Sequence, residues 1–69
     1  MEILSLGKTI MERRKDLGIT QARLAELADV NINTLYKLER GQTNPTLEVL
    51  VRIADILGME LKLEVKRRS

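Results

Sequence analysis

The sequence predicts an all-α bundle of four helices followed by a single C-terminal β-strand. Three observations predict it. Apolar residues recur at three- and four-residue spacing in four successive stretches, as in helices with one buried side. At the boundaries stand residues that end helices (Gly18, Asp29, Gly41, Gly58) and residues that start them (Ser5, Thr20, Asn31, Thr46). From Met59 onward the apolar period drops to two, which is the pattern of a half-buried strand.

The first helix is capped by Ser5 and buries Leu6, Ile10, Met11 and Leu17. Lys8, Glu12, Arg13, Lys15 and Asp16 form its solvated side, and Gly7 weakens its first turn slightly. Gly18 ends it in a left-handed conformation. After the short Gly18-Ile19 link, Thr20 caps a second helix over Gln21 to Ala28, with Leu24, Ala25, Leu27 and Ala28 as its apolar stripe. Asp29 breaks that helix and Asn31 caps the third, so the two must turn sharply and pack at once.

The third helix has two unlike faces. At 100° per residue Leu35 and Leu38 share one side, while Ile32, Asn33, Tyr36, Lys37 and Arg40 share the other. The first side can bury. The second offers an amide, a phenol, two cations and an apolar side chain, a mixture suited to contact.

Gly41-Gln42-Thr43-Asn44-Pro45 is the clearest loop of the chain. Thr46 then caps a fourth helix, with Glu48 favouring the dipole of its first turn and Leu47, Leu50, Ile53, Ala54 and Leu57 as its stripe. Gly58 stops it. Residues 59–66 alternate apolar and charged, with Met59, Leu61, Leu63 and Val65 on one face. One strand cannot satisfy its own backbone, so the expected partner is the same strand of a second copy, antiparallel across a two-fold axis. A final amphipathic helix is the alternative. Residues 67–69 read as a basic tail.

Composition narrows the function classes. At 69 residues one small domain is expected, with 43% apolar residues and a modest net charge of +2 from 12 basic and 10 acidic side chains. Where the charge sits therefore matters more than its sum. The absence of Cys and His removes disulfides and the usual ligands of zinc, iron–sulfur and haem sites. It also removes the common general bases and thiol nucleophiles. Asp55 and Glu48 stand isolated and no glycine-rich phosphate loop is present. No enzyme activity, cofactor or metal is expected. Without a basic start leading into a long apolar run, and with no membrane-length apolar segment, the expected location is cytoplasmic with no membrane partner.

Leu17-Gly18-Ile19-Thr20-Gln21-Ala22-Arg23-Leu24-Ala25-Glu26-Leu27-Ala28, Val30 to Asn33, Leu35 to Gly41 and Asn44-Pro45 form an ordered set. Together they resemble the Cro/cI (XRE-type) helix-turn-helix family, over roughly residues 6 to 58. The resemblance implies a lambda-repressor-like fold with a helix-turn-helix domain at 1–58, to which the alternation at 59–66 adds the expected dimerisation strand. Its partner would be double-stranded DNA, read by a homodimer at a palindromic operator as a transcriptional regulator or repressor. Family base readers map onto Ile32, Asn33, Tyr36 and Lys37. Asn can pair with adenine, Lys can donate to guanine and Ile can touch a thymine methyl.

Backbone contacts map onto Gln21, Arg14, Arg40, Gln42, Thr43 and Asn44. Arg14 and Glu39 match a family ion pair that ties the first helix to the end of the recognition helix. At position 29 the family usually has Gly, and Asp is the non-glycine residue that tolerates a left-handed turn comparatively well. A narrower resemblance is to HipB-like antitoxins, compact regulators that pair such strands, repress their own operon and bind a toxin. A protein-interaction module using the same helices is the rival reading. Lys37 and Arg40 would then be a solvated face, Asn33 an inert surface residue, and Tyr36 would lie across its neighbours. Arg23 stays open between contact and solvent.

Overall fold

The structure, a computed structural model, describes residues 3–66, so the predicted tail at 67–69 lies outside the described residues. Four helices follow one another: α1 (Ile3–Asp16), α2 (Gln21–Ala28), α3 (Ile32–Glu39) and α4 (Leu47–Ile56). The expected capping residues of α2, α3 and α4 act as caps. Thr20 Oγ1 accepts from the Arg23 N–H at 3.0 Å, Asn31 Oδ1 from the Asn33 N–H at 2.7 Å, and Thr46 Oγ1 from the Val49 N–H at 3.1 Å. Each satisfies one N–H that the first helical turn leaves unpaired.

All four helices close with the same pair of backbone bonds. At the end of α4, for example, the Met59 N–H donates to the Ala54 oxygen at 2.8 Å and the Gly58 N–H to the Asp55 oxygen at 3.2 Å. The equivalent pairs run from Ile19 and Gly18, from Val30 and Asp29, and from Gln42 and Gly41. This motif needs one left-handed residue. Gly fills it three times, and Asp29 fills it at φ 54°, ψ 50°. The sharp α2–α3 turn that glycine usually makes is thus made by the residue expected to tolerate it. Its carbonyl accepts from Arg52 Nη1 at 3.3 Å, which ties the turn to α4.

The core is Ile10 from α1, Leu24, Ala25 and Ala28 from α2, Leu35 and Leu38 from α3, and Ile53 with Leu57 from α4 and its end. Leu6, Ile19, Val30, Val49, Leu50 and Met59 pack around it. Small Ala25 and Ala28 let α2 lie close to its neighbours, and α2 packs on both α3 and α4 while α1 packs on α3.

Several expectations are corrected. Helix α1 begins before Ser5, which sits inside it and whose backbone oxygen accepts from the Thr9 hydroxyl at 3.0 Å. Leu17 lies past the end of α1 and is exposed. Leu27 is exposed because it stands well to one side of the Leu24–Ala28 line on a short helix. Leu47 is exposed because it occupies the first turn of α4, beyond the core. Gly7 does more than weaken a turn. A Cβ placed there would lie 1.9 Å from the Leu38 backbone oxygen, so its bare backbone is what lets α1 cross the end of α3.

Residues 59–66 form neither the expected strand nor the alternative helix, and the described residues contain no strand. The physical reason is the one visible in the pattern: a strand exists through its ladder, and the described residues offer no second strand to pair with. The segment nevertheless keeps its alternation where it passes the core. Met59 and Leu61 are half-buried, Glu60 and Lys62 exposed, and then Leu63 and Val65 overhang the body at 99% and 94% exposure.

Candidate nucleic-acid interface

Helix α3 is held by its inner face and offers its outer one. Leu35 and Leu38 are fully buried, which fixes the helix axis and rotation against α1 and α2. Ile32, Asn33, Tyr36 and Lys37 are then all exposed and lie on one side. The Arg40 guanidinium stands 5.2 Å from the Tyr36 ring centroid, a cation–π arrangement between two neighbours on this side. Beyond α3, Gln42 and Asn44 are exposed and Thr43 half-buried, and with Gly41 they line an open polar concavity. The loop starts against the body, since Gly41 abuts α1 so closely that a Cβ would lie 2.9 Å from the Leu4 Cα.

A buried polar cluster joins three helices beneath this surface. Arg14 Nε donates to Glu39 Oε2 at 2.7 Å and Arg14 Nη2 to Glu39 Oε1 at 3.0 Å, a two-pronged pair. Arg14 Nη1 donates to the Ile19 oxygen at 2.9 Å. Gln21 Nε2 donates to Glu39 Oε1 at 2.9 Å, so the first residue of α2 is aimed by the last residue of α3. The side chains of Arg14 and Glu39 keep only 10% and 2% of their exposure, and no buried side-chain polar atom among the described residues lacks a partner.

The sequence-predicted site residues thus divide by position. Ile32, Asn33, Tyr36, Lys37 and Arg40 come together on α3 and its end. Gln42, Thr43 and Asn44 continue from it. Gln21 stands half-buried at the start of α2, with one amide hydrogen and its oxygen still unassigned. Arg14 is placed differently, since all three of its guanidinium nitrogens are engaged inside the protein. No local signal in the sequence announces the Gln21–Glu39 bond. Arg23 pairs with Glu26 on the surface. Among the described residues no group of three metal-ligating side chains occurs, and no helix is long and apolar enough to cross a membrane.

Four helices, a three-residue turn and a firmly seated α3 with an outward polar face define a helix-turn-helix module. The helix-turn-helix family model matches residues 10–63, and the chain belongs to that family. A transcriptional regulator of the helix-turn-helix type from Methanothermobacter thermautotrophicus is 47% identical over 51 residues, covering 74% of each chain. A helix-turn-helix regulatory protein of Methanococcus vannielii is 38% identical over 55 residues, 80% of this chain; the chain spans only 17% of that relative's length. Among solved structures, the restriction-modification controller protein C.AhdI from Aeromonas hydrophila superposes with a TM-score of 0.81 at 29% identity, covering 84% of this chain and 88% of the other.

Proposed function

We propose that this chain is a sequence-specific, DNA-binding transcription regulator, acting as a repressor from a homodimer on a palindromic operator. One observation carries the reading. The exposed face of α3 presents Ile32, Asn33, Tyr36 and Lys37 together, on a helix whose other face is wholly buried. In the major groove Asn33 would read adenine, Lys37 guanine and Ile32 a thymine methyl, with Tyr36 alongside. Gln21, Arg40, Gln42, Thr43 and Asn44 would grip phosphate and set the register. Arg14 acts one step back in this account, by holding Glu39 and through it Gln21.

Residues 1–58 would be the DNA-binding domain and 59–66 the dimerisation strand, with Met59, Leu61, Leu63 and Val65 facing the second copy. Two α3 helices about 34 Å apart then meet successive major grooves. A cytoplasmic location fits this role, which calls for no cofactor and no enzyme activity. Relatives named as transcriptional regulators support regulation over the antitoxin and the protein-interaction alternatives.

Binding to duplex DNA at two salt concentrations tests this reading. Affinity should fall steeply with salt, since each neutralised phosphate releases about 0.9 of a counterion. Asn33→Ala and Lys37→Ala should each cost about 1–3 kcal/mol at the preferred site. Their unfolding free energies in urea should stay within about 0.5 kcal/mol of the parent, because both positions are exposed. No affinity at either salt, or full affinity in both variants, would overturn it.

A further inference from the structure

The C-terminal segment carries more than a tendency to pair; its charges select one register. Glu60, Lys62, Glu64 and Lys66 alternate in sign along the face opposite Met59, Leu61, Leu63 and Val65. Glu60 Oε1 lies 3.4 Å from Lys62 Nζ, as same-face neighbours two residues apart should. In an antiparallel two-fold pair, the registers that keep the apolar rows together place the axis through a single residue. An axis through Lys62 sets Glu60 opposite Glu64 and Lys62 opposite itself. An axis through Glu64 sets Lys62 opposite Lys66 and Glu64 opposite itself. Like charges directly opposite destabilise a ladder, and opposite charges stabilise it.

Two odd-numbered axes avoid these clashes. An axis through Leu61 gains Glu60 opposite Lys62, but beyond residues 59–63 it sets Glu64 against Gly58, and carrying the ladder out to Val65 would draw in the fully buried Leu57. An axis through Leu63 sets Lys62 opposite Glu64 and Glu60 opposite Lys66, and uses only residues 60–66. It also sets the overhanging Leu63 against its own copy and Val65 against Leu61.

We infer that two copies pair antiparallel over residues 60–66 about an axis through Leu63, which places the second copy's Val65 beside Leu61. This rests on the dimeric reading above. A shallow apolar groove lies at that point, between the segment and the Leu47, Leu50 and Val51 side of α4, with Leu61 and Leu63 along its other side. Leu47 and Val51 remain 70% and 42% exposed in the single chain. The second copy's Val65 fills this groove, so the exposed apolar side chains at both ends of the surface are covered by one event.

A charge reversal in the full-length chain, read by sedimentation equilibrium at low salt, tests the register. Glu64→Lys turns both Lys62–Glu64 pairs of the dimer into like-charge pairs and should weaken dimerisation roughly tenfold or more. Adding Lys62→Glu restores opposite charges in this register and should bring the dissociation constant back to within about threefold of the parent. In the Leu61 register Glu64→Lys is neutral, and the double variant sets the carboxylate introduced at position 62 against Glu60, weakening the dimer. In the Lys62 register Glu64→Lys strengthens the dimer by removing Glu60–Glu64 repulsion. A parent dimer showing either of the last two patterns overturns the register alone. A parent chain that stays monomeric at every concentration overturns the dimer itself.

Discussion

Glu39→Ala is expected to bring the domain close to unfolding. The substitution leaves the Arg14 guanidinium buried without its counter-charge and removes the acceptor that holds Gln21. Breaking a buried pair from one side typically costs about 3–5 kcal/mol. A domain of this size has a total stability of about 3–10 kcal/mol. The loss is therefore of the same order as the whole. With a urea slope of about 1 kcal/mol/M, the midpoint should fall by more than about 2 M. Combining Glu39→Leu with Arg14→Met should recover most of that loss, since both charges then leave the interior together. A Glu39→Ala midpoint within about 0.5 M of the parent would contradict the pair's structural role.

Gly7→Ala is expected to destabilise, which is the reverse of what an open helix would show. Within a helix, Ala is preferred over Gly by about 1 kcal/mol. Here the new methyl would meet the Leu38 oxygen at 1.9 Å and the Leu38 carbon and Glu39 Cα at 3.0 and 3.1 Å. Those are backbone atoms, which cannot rotate away. Forcing α1 off α3 should cost about 1–3 kcal/mol beyond the propensity gain. It should also displace the end of α3, where Glu39 and Arg40 stand. Urea or thermal unfolding checks the sign, and a Gly7→Ala variant more stable than the parent would contradict the close crossing.

What the sequence made legible was local. The caps at Thr20, Asn31 and Thr46 each involve groups a few positions apart, so residue type and spacing were enough to place them, whereas the left-handed turn at Asp29 was legible only through the family resemblance. The two faces of α3 were equally plain, because Leu35 and Leu38 sit one turn apart among polar neighbours. The start of α1 escaped notice because no capping side chain marks it, and Ser5 offered a false one. Gly7 read as a flaw because the backbone it approaches lies some thirty residues away. The Arg14–Glu39 pair was legible only through the family resemblance, because nothing near Arg14 in the sequence announces its burial: the packing of α1 on α3 surrounds it. Residues 59–66 alternate as a half-buried strand would, but a strand needs a partner, and the described residues hold none.

The central claim is that the outer face of α3 reads base edges, twice, in a symmetric dimer. Selecting bound duplexes from a random-sequence pool tests it most directly, with the parent chain and the combined Asn33→Ala, Lys37→Ala variant run side by side. The expected result is a palindrome whose half-site centres lie about 10 base pairs apart, enriched by the parent chain and lost or blurred at specific positions in the variant. Recovery of no preferred sequence by the parent chain, or of the same palindrome with equal strength by the variant, would contradict it.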